Sequence, residues 1–167
     1  MPGPHLSRLD PRYGDDPTPA SWARTDQLLA DAELYWLSTV RADGRPHVTP
    51  LIGAWFDDRF HFVSGAREQK VHNLAVNPQV AVTTGANAWA AGTDVVLEGT
   101  AQRLTEPAQL QAFADATFAK YGEAWQFTVH GDVVGDGDHA AWVFAVAPAK
   151  VLTFGKDPHA QTAHLFG

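Results

Sequence analysis

The 167-residue chain contains no cysteine. Disulfides, thiolate metal sites and a cysteine nucleophile are therefore excluded. Positive charge is scarce: 12 Lys and Arg stand against 19 Asp and Glu, a formal net charge of −7. A general nucleic-acid surface is not expected on such a chain, although a local basic pocket for a small anion is compatible with it. No apolar run reaches the roughly 18 residues needed to cross a bilayer, so no membrane span is expected. The opening segment "MPGPHLSRLDPRYGDDPTP" has no apolar signal core, which points to a cytoplasmic protein. None of the eight histidines forms an HxH or HExxH pair, and no metal site is expected.

What is present fits one globular domain: 45% hydrophobic and 19% charged residues over a length that can bury a substantial core. Residues 1–20, rich in Pro, Gly and Asp, read as an extended N-terminal arm, and residues 21–167 as the domain. "SWARTDQLLADAE" (21–33) reads as a helix capped near Thr18 or Ser21. Aromatic and β-branched residues then dominate "LYWLSTVRA" (34–42). "DGR" follows, where Asp43-Gly44 suits a type I′ turn into "PHVTPLIGAWF" (46–56). Pro50 marks that return strand as an edge or a bulge. "RFHFVS" (59–64), "QVAVTTG" (79–85) and "TDVVLEGTAQRLT" (93–105) are further strands. "EPAQLQAFADATFAKYG" (106–122) has Leu110, Phe113, Ala114, Thr117 and Phe118 at helical spacing, with Pro107 in its first turn and Gly122 just past its end. "AAWVFAVAP" (140–148) and "KVLTFG" (150–155) complete the strands. The class is mainly β with α, a closed or partly closed antiparallel barrel with flanking helices.

"SGAREQKVHNLAVNP" (64–78) places Arg67 and Lys70 at the start of a short helix. That end of a helix already carries partial positive charge and favours acidic residues. Two readings follow. Both cations are solvated, or they hold an anion, with Gly65 allowing close main-chain approach, Lys70 giving a point charge and Arg67 a fork of donors. "GDGDHA" (135–140) matches GxGxxA only nominally, because it opens a strand and not a helix. Its aspartates lack the closing glutamate of a calcium loop.

The series "LSTVRADGRPHVTP", an apolar strand ending at Ser64-Gly65, "K‥‥NL‥NPQVAV", "AKVLTFG" and the tail "QTAHLF" resembles the pyridoxamine 5′-phosphate oxidase-like superfamily of split β-barrel flavin-binding proteins. The resemblance covers roughly residues 22–166. It implies a homodimer holding flavin mononucleotide (FMN), or in one branch the deazaflavin coenzyme F-420, in a groove between subunits. It places Val48, Thr49, Pro50 and Leu51 beside the ring system, with Ser64, Arg67 and Lys70 at the phosphate. Thr83 and Thr84 would lie near the cofactor, and Gln161 and Thr162 would approach from the C-terminal end. Trp55 and Trp89 are the tryptophans expected nearest the ring.

The implied function is an oxidoreductase moving a hydride to or from a small planar organic substrate, with the cofactor supplying the hydride chemistry. No catalytic side chain is assigned. The alternative is a non-catalytic binder of a flavin, haem or other planar ligand. Pyridoxamine phosphate oxidases proper carry an Arg and a Lys on the strand where this chain has Thr49 and Ala54, so that specific activity is not expected. The excess of acidic residues puts FMN ahead of F-420, whose acidic tail favours a longer basic groove. The Ala-, Gly- and Pro-rich composition pulls the other way.

Overall fold

The computed structural model describes residues 3–12 and 18–167, so residues 1–2 and 13–17 of the expected arm lie outside the described residues. Strand β1 (Leu6–Leu9) precedes helix α1 (Trp22–Asp31), which starts where the Ser21 hydroxyl accepts the Arg24 N–H at 3.3 Å. Two hairpins follow: β2 (Tyr35–Val40) with β3 (Pro46–Leu51), and β4 (Ala54–Phe56) with β5 (Arg59–Gly65). Helix α2 (Gln69–Val76) leads to β6 (Gln79–Thr84) and β7 (Thr93–Leu104). Helix α3 (Pro107–Tyr121) opens on Pro107 and ends at Gly122, whose φ of +70° suits a residue without Cβ. The small ribbon β8 (Val129–His130) and β9 (Val133–Val134) precedes β10 (Ala141–Lys156) and β11 (His159–Leu165).

The main path of the antiparallel sheet runs β1-β11-β10-β7-β6-β2-β3. The first half of β10 also pairs with β5, bringing in β4. The sheet curls round a core without closing, which makes a split β-barrel. Tyr35, Leu37 and Thr39 of β2 are buried while Trp36 between them is 47% exposed, the period-2 signature of a strand with one face in the core. Leu37, Val82, Leu97 and Val151 sit on successive strands and fill the interior. A second cluster, Leu110 and Phe113 of α3 with Leu104, Val134, Val143 and Ala145, packs α3 onto the outside of the β5–β10–β7 corner.

Several boundaries differ from expectation. Gly44 alone in the first hairpin has positive φ (+85°), and Arg41 pairs with Arg45, so the turn is a three-residue loop and not type I′. Positive φ at both Asp57 (52°) and Asp58 (53°) makes the two-residue β4–β5 turn the I′-like one. The expected strand 46–56 breaks at Ile52-Gly53 into β3 and β4. Among the described residues β3 pairs only with β2, so Pro50 sits on an edge strand. The segments 140–148 and 150–155 form a single strand, β10, with a register shift between Pro148 and Lys150. A Cβ on Gly99 would lie 2.3 Å from the Ala147 carbonyl oxygen, so this irregularity needs glycine on the neighbouring strand. Phe118, expected on the buried face of α3, is 44% exposed.

Candidate functional site

The loop after β5 builds a small anion cradle. Ser64 is buried near the end of that strand, and Gly65 is its last residue. Helix α2 is capped at Glu68 with extended backbone, so only Lys70 belongs to its first turn. Arg67 precedes the cap, is exposed, and makes no hydrogen bond or ion pair among the described residues. The expectation of two cations on one helical face is corrected accordingly.

The negative group beside these donors is the chain's own Glu68. Its Oε1 accepts the Gly65 N–H at 2.7 Å, and its Oε2 is ion-paired with Lys70 Nζ. Burial alone would raise the Glu68 pKa, but the Lys70 and Gly65 hydrogen bonds, the Lys70 charge and the Ser64 hydroxyl together hold it below the usual carboxylate range. The Lys70 side chain is 9% exposed and that of Glu68 50% exposed, so the cation is fixed in the protein while the anion reaches in from the rim.

Beneath α2, Asn73 donates to Thr39 Oγ1 at 2.8 Å and accepts from Gln69 at 2.8 Å. Thr39 in turn lies 3.3 Å from His47 Nδ1. This network fixes the helix on the β2–β3 hairpin and holds the cradle's floor. Burial, then the charges of Arg41 and Lys70, lower the His47 pKa. On the same strand, Thr49 Oγ1 is buried with no hydrogen-bond partner among the described residues, whereas Val48 is 52% exposed on the opposite face. Pro50 is exposed and Leu51 packs against the core.

The remaining expected residues do not converge with the cradle within one chain. Thr83 and Thr84 bond back to the carbonyls of Trp36 (3.5 Å) and Leu34 (2.9 Å) and line a cavity of about 620 Å³ with Trp36, Val96 and Phe154. Gln161 lines a different cleft with Arg8 and Lys150. Thr162 is buried, and its Oγ1 accepts the Ala20 N–H at 2.9 Å. Trp55 lies in the core with Nε1 donating to Asp26 at 2.7 Å, and Trp89 is 93% exposed beyond β6. Trp36 is the tryptophan that lines the 620 Å³ cavity.

Sequence reading missed Trp36, Glu68 and the Thr39–His47–Asn73 network. Glu68 lay in plain view between the two cations; Trp36 was marked by alternation with Tyr35 and Leu37. Nothing in the local sequence pairs Asn73 with Thr39. Among the described residues, no group of three His, Cys, Asp or Glu is placed to hold a metal ion, and no helix is long and apolar enough to cross a membrane.

The donor set of the cradle suits an anion in chemical terms. It offers a hydroxyl, a main-chain N–H and a buried ammonium, and it already grips a carboxylate.

Comparison with known proteins agrees with this architecture. A curated relative, the pyridoxine/pyridoxamine 5′-phosphate oxidase of Pseudomonas entomophila (strain L48), is 38% identical over 65 residues, which is 38% of this chain but 30% of that protein. Thus the chain matches less than a third of that relative's length. A haem-binding protein from Mycobacterium smegmatis superposes with a TM-score of 0.69 at 18% identity, covering 87% of this chain and 58% of that one. An FAD-binding protein from Mesorhizobium loti gives 0.61 at 16% identity, with coverage of 95% and 96%. An F420 reductase gives 0.55 at 21% identity, with coverage of 75% and 94%. At these identities the likeness is one of fold. The family model described as pyridoxamine 5′-phosphate oxidase matches residues 22–154, and with that match spanning most of the split barrel, the chain belongs to the pyridoxamine 5′-phosphate oxidase family.

Proposed function

We propose that this protein is an oxidoreductase that uses a flavin-type cofactor to move a hydride to or from a small planar organic substrate. The observation that carries the reading is the convergence of the Gly65 N–H and the buried Lys70 on one carboxylate, with Ser64 beside them. A cofactor phosphate has the same needs. In this reading Ser64, Gly65 and Lys70 hold the phosphate and Arg67 reaches it from the rim. The edge strand β3, with the unmet Thr49 hydroxyl, flanks the ring. A bound flavin or deazaflavin carries the hydride itself. The chain's residues bind it, orient it and exclude water.

FMN is the first candidate and the deazaflavin coenzyme F-420 the alternative. The names of two proteins of like fold, one FAD-binding and one an F420 reductase, support a cofactor of this class. Thr49 and Ala54 stand where oxidases proper carry basic residues, and Ala54 is 3% exposed, so the substrate is not pyridoxamine phosphate.

Thr83, Thr84, Gln161 and Thr162 lie away from the cradle, and a second copy of the chain would bring one set to the other. The outer face of the sheet offers the means: Trp36, Thr83, Val96 and Leu152 stand in register across four strands, with Trp36 and Val48 about half exposed. An apolar row of this kind favours an isologous homodimer.

A second reading, a non-catalytic binder of a planar ligand, draws support from the haem-binding protein of like fold. Equilibrium titration of the cofactor-stripped protein with FMN and with coenzyme F-420, followed by fluorescence, tests the first reading. Saturable binding of one fixes the cofactor; binding of neither ends the assignment. Size-exclusion chromatography is expected to give a dimer, and a monomer with full cofactor occupancy would contradict the shared groove. Substrate-dependent oxidation of the reduced cofactor then separates enzyme from binder.

A further inference from the structure

We infer that Glu68 is an internal competitor for the phosphate site, so that its carboxylate must leave the cradle before a phosphate can enter. The inference rests on the cradle being a phosphate site, as proposed above. Glu68 takes the Gly65 N–H at 2.7 Å, pairs with Lys70, and is further favoured in its charged form by Ser64. These are the groups a phosphate needs. A carboxylate and a phosphate cannot share them, because each donor is directed at one anion and two anions in contact repel.

The geometry makes the exchange feasible. Glu68 stands at the helix cap with no side-chain capping bond to the helix, so the contacts to Gly65 and Lys70 are its ties to the cradle. Its side chain is half exposed, so rotation carries the carboxylate into solvent. Lys70 has no such exit: its side chain is 9% exposed, and departure of Glu68 leaves a buried ammonium in need of an anion. Glu68 thus keeps Lys70 satisfied in the free protein and weakens phosphate binding by the free energy of its own contacts. It also sets a selectivity: a ligand without a phosphate never meets the competition.

The test compares wild type with Glu68→Gln, which keeps the size and removes the charge, and with Glu68→Ala as a second variant. FMN and riboflavin, which differ by the phosphate, are titrated by fluorescence. Melting temperatures are measured with and without inorganic phosphate. Both variants should bind FMN about tenfold more tightly than wild type, with riboflavin changed by less than about twofold. Inorganic phosphate should raise the variants' melting temperatures more than that of wild type. Equal or weaker FMN binding by the variants, with wild type binding FMN, overturns the role of Glu68 and leaves the cofactor reading standing. Equal tightening of FMN and riboflavin also overturns it, because the effect would not involve the phosphate. If FMN binds to none of the proteins but phosphate stabilises the variants selectively, the flavin reading falls and the competition stands. If neither ligand affects any variant, both are overturned.

Discussion

Lys70 and Lys120 are both drawn out of water in this fold, and their surroundings separate a structural half from the half that carries the proposed binding cradle. Lys120, near the end of α3, donates to Tyr35 Oη at 2.8 Å and to the Gly53 carbonyl at 3.2 Å, and lies 4.9 Å from the centre of the Tyr35 ring. No carboxylate pairs with it among the described residues, and burial pulls its pKa down to about 8. Its neighbour Tyr121 accepts the Gly53 N–H at 3.2 Å and lies 2.9 Å from both the Glu33 and Gly53 carbonyl oxygens. These partners are main-chain groups, a phenol and rings, and together they fasten α3 to the break between β3 and β4. Lys70 instead faces one half-exposed carboxylate. Burial is similar in kind, but one cation is committed to main chain and the other to a partner that can rotate away. The difference teaches that a buried cation points to a ligand when its partner is replaceable.

The largest test of this division is acidification. His61 belongs to the structural half: it is 4% exposed, stacks on Phe56 at 3.8 Å, and its Nδ1 has no hydrogen-bond partner among the described residues. Burial lowers its pKa from 6.5 to about 4. Between those values the unfolded chain binds a proton that the folded chain refuses, so stability falls as pH drops through the window, by about 3 kcal/mol in all. Denaturant unfolding at pH 7 and pH 4 measures it, and His61→Gln should flatten that part of the profile. An unchanged profile would place His61 in a wetter setting.

Next comes Lys70→Ala, which removes a charge-assisted bond and should weaken FMN binding by about 1.5–3 kcal/mol. Lys120→Met serves as the control and should leave FMN affinity within about 0.5 kcal/mol of wild type. Equal losses in the two variants would erase the distinction between the lysines. The smallest expected effect is that of Tyr121→Phe. It leaves the Gly53 N–H and the Glu33 carbonyl unmet and should cost about 1–2 kcal/mol of stability with no change in FMN affinity. A loss of affinity would tie the α3 anchor to the binding half.

The order of strands and helices was legible because alternation and helical spacing are local properties. Tyr35, Leu37 and Thr39 announce their shared face, and Pro107 and Gly122 mark both ends of α3. Turn geometry was less legible. Asp43-Gly44 fits a type I′ turn by composition, yet the three-residue loop needs positive φ only at Gly44. The strand His159–Leu165 was read only as a tail, because its hydrogen bonds go to β10 and β1, and pairing with β1 spans most of the chain. The cradle was half legible. Ser64, Gly65 and Lys70 stand together in sequence, but that Glu68 faces inward while Arg67 stays in solvent depends on where α2 begins. The residues assigned by resemblance at 83–84 and 161–162 lie on other strands, and nothing local fixes where those strands come to rest.

Strand β10 carries a consequence for how the chain acquires its fold. Its sixteen residues (141–156) pair with β5, β7, β9 and β11, so both the barrel and the α3 corner are built on it. Until that segment has been synthesised, β5 has only the short β4 beside it and β7 has only β6. From the completion of β7 at Leu104 until β10 has been made, the nascent chain therefore carries two unpaired edges, and native pairing must wait for a late, long-range docking event. Such a topology favours slow, all-or-none acquisition of structure and a period of exposure to edge-to-edge association.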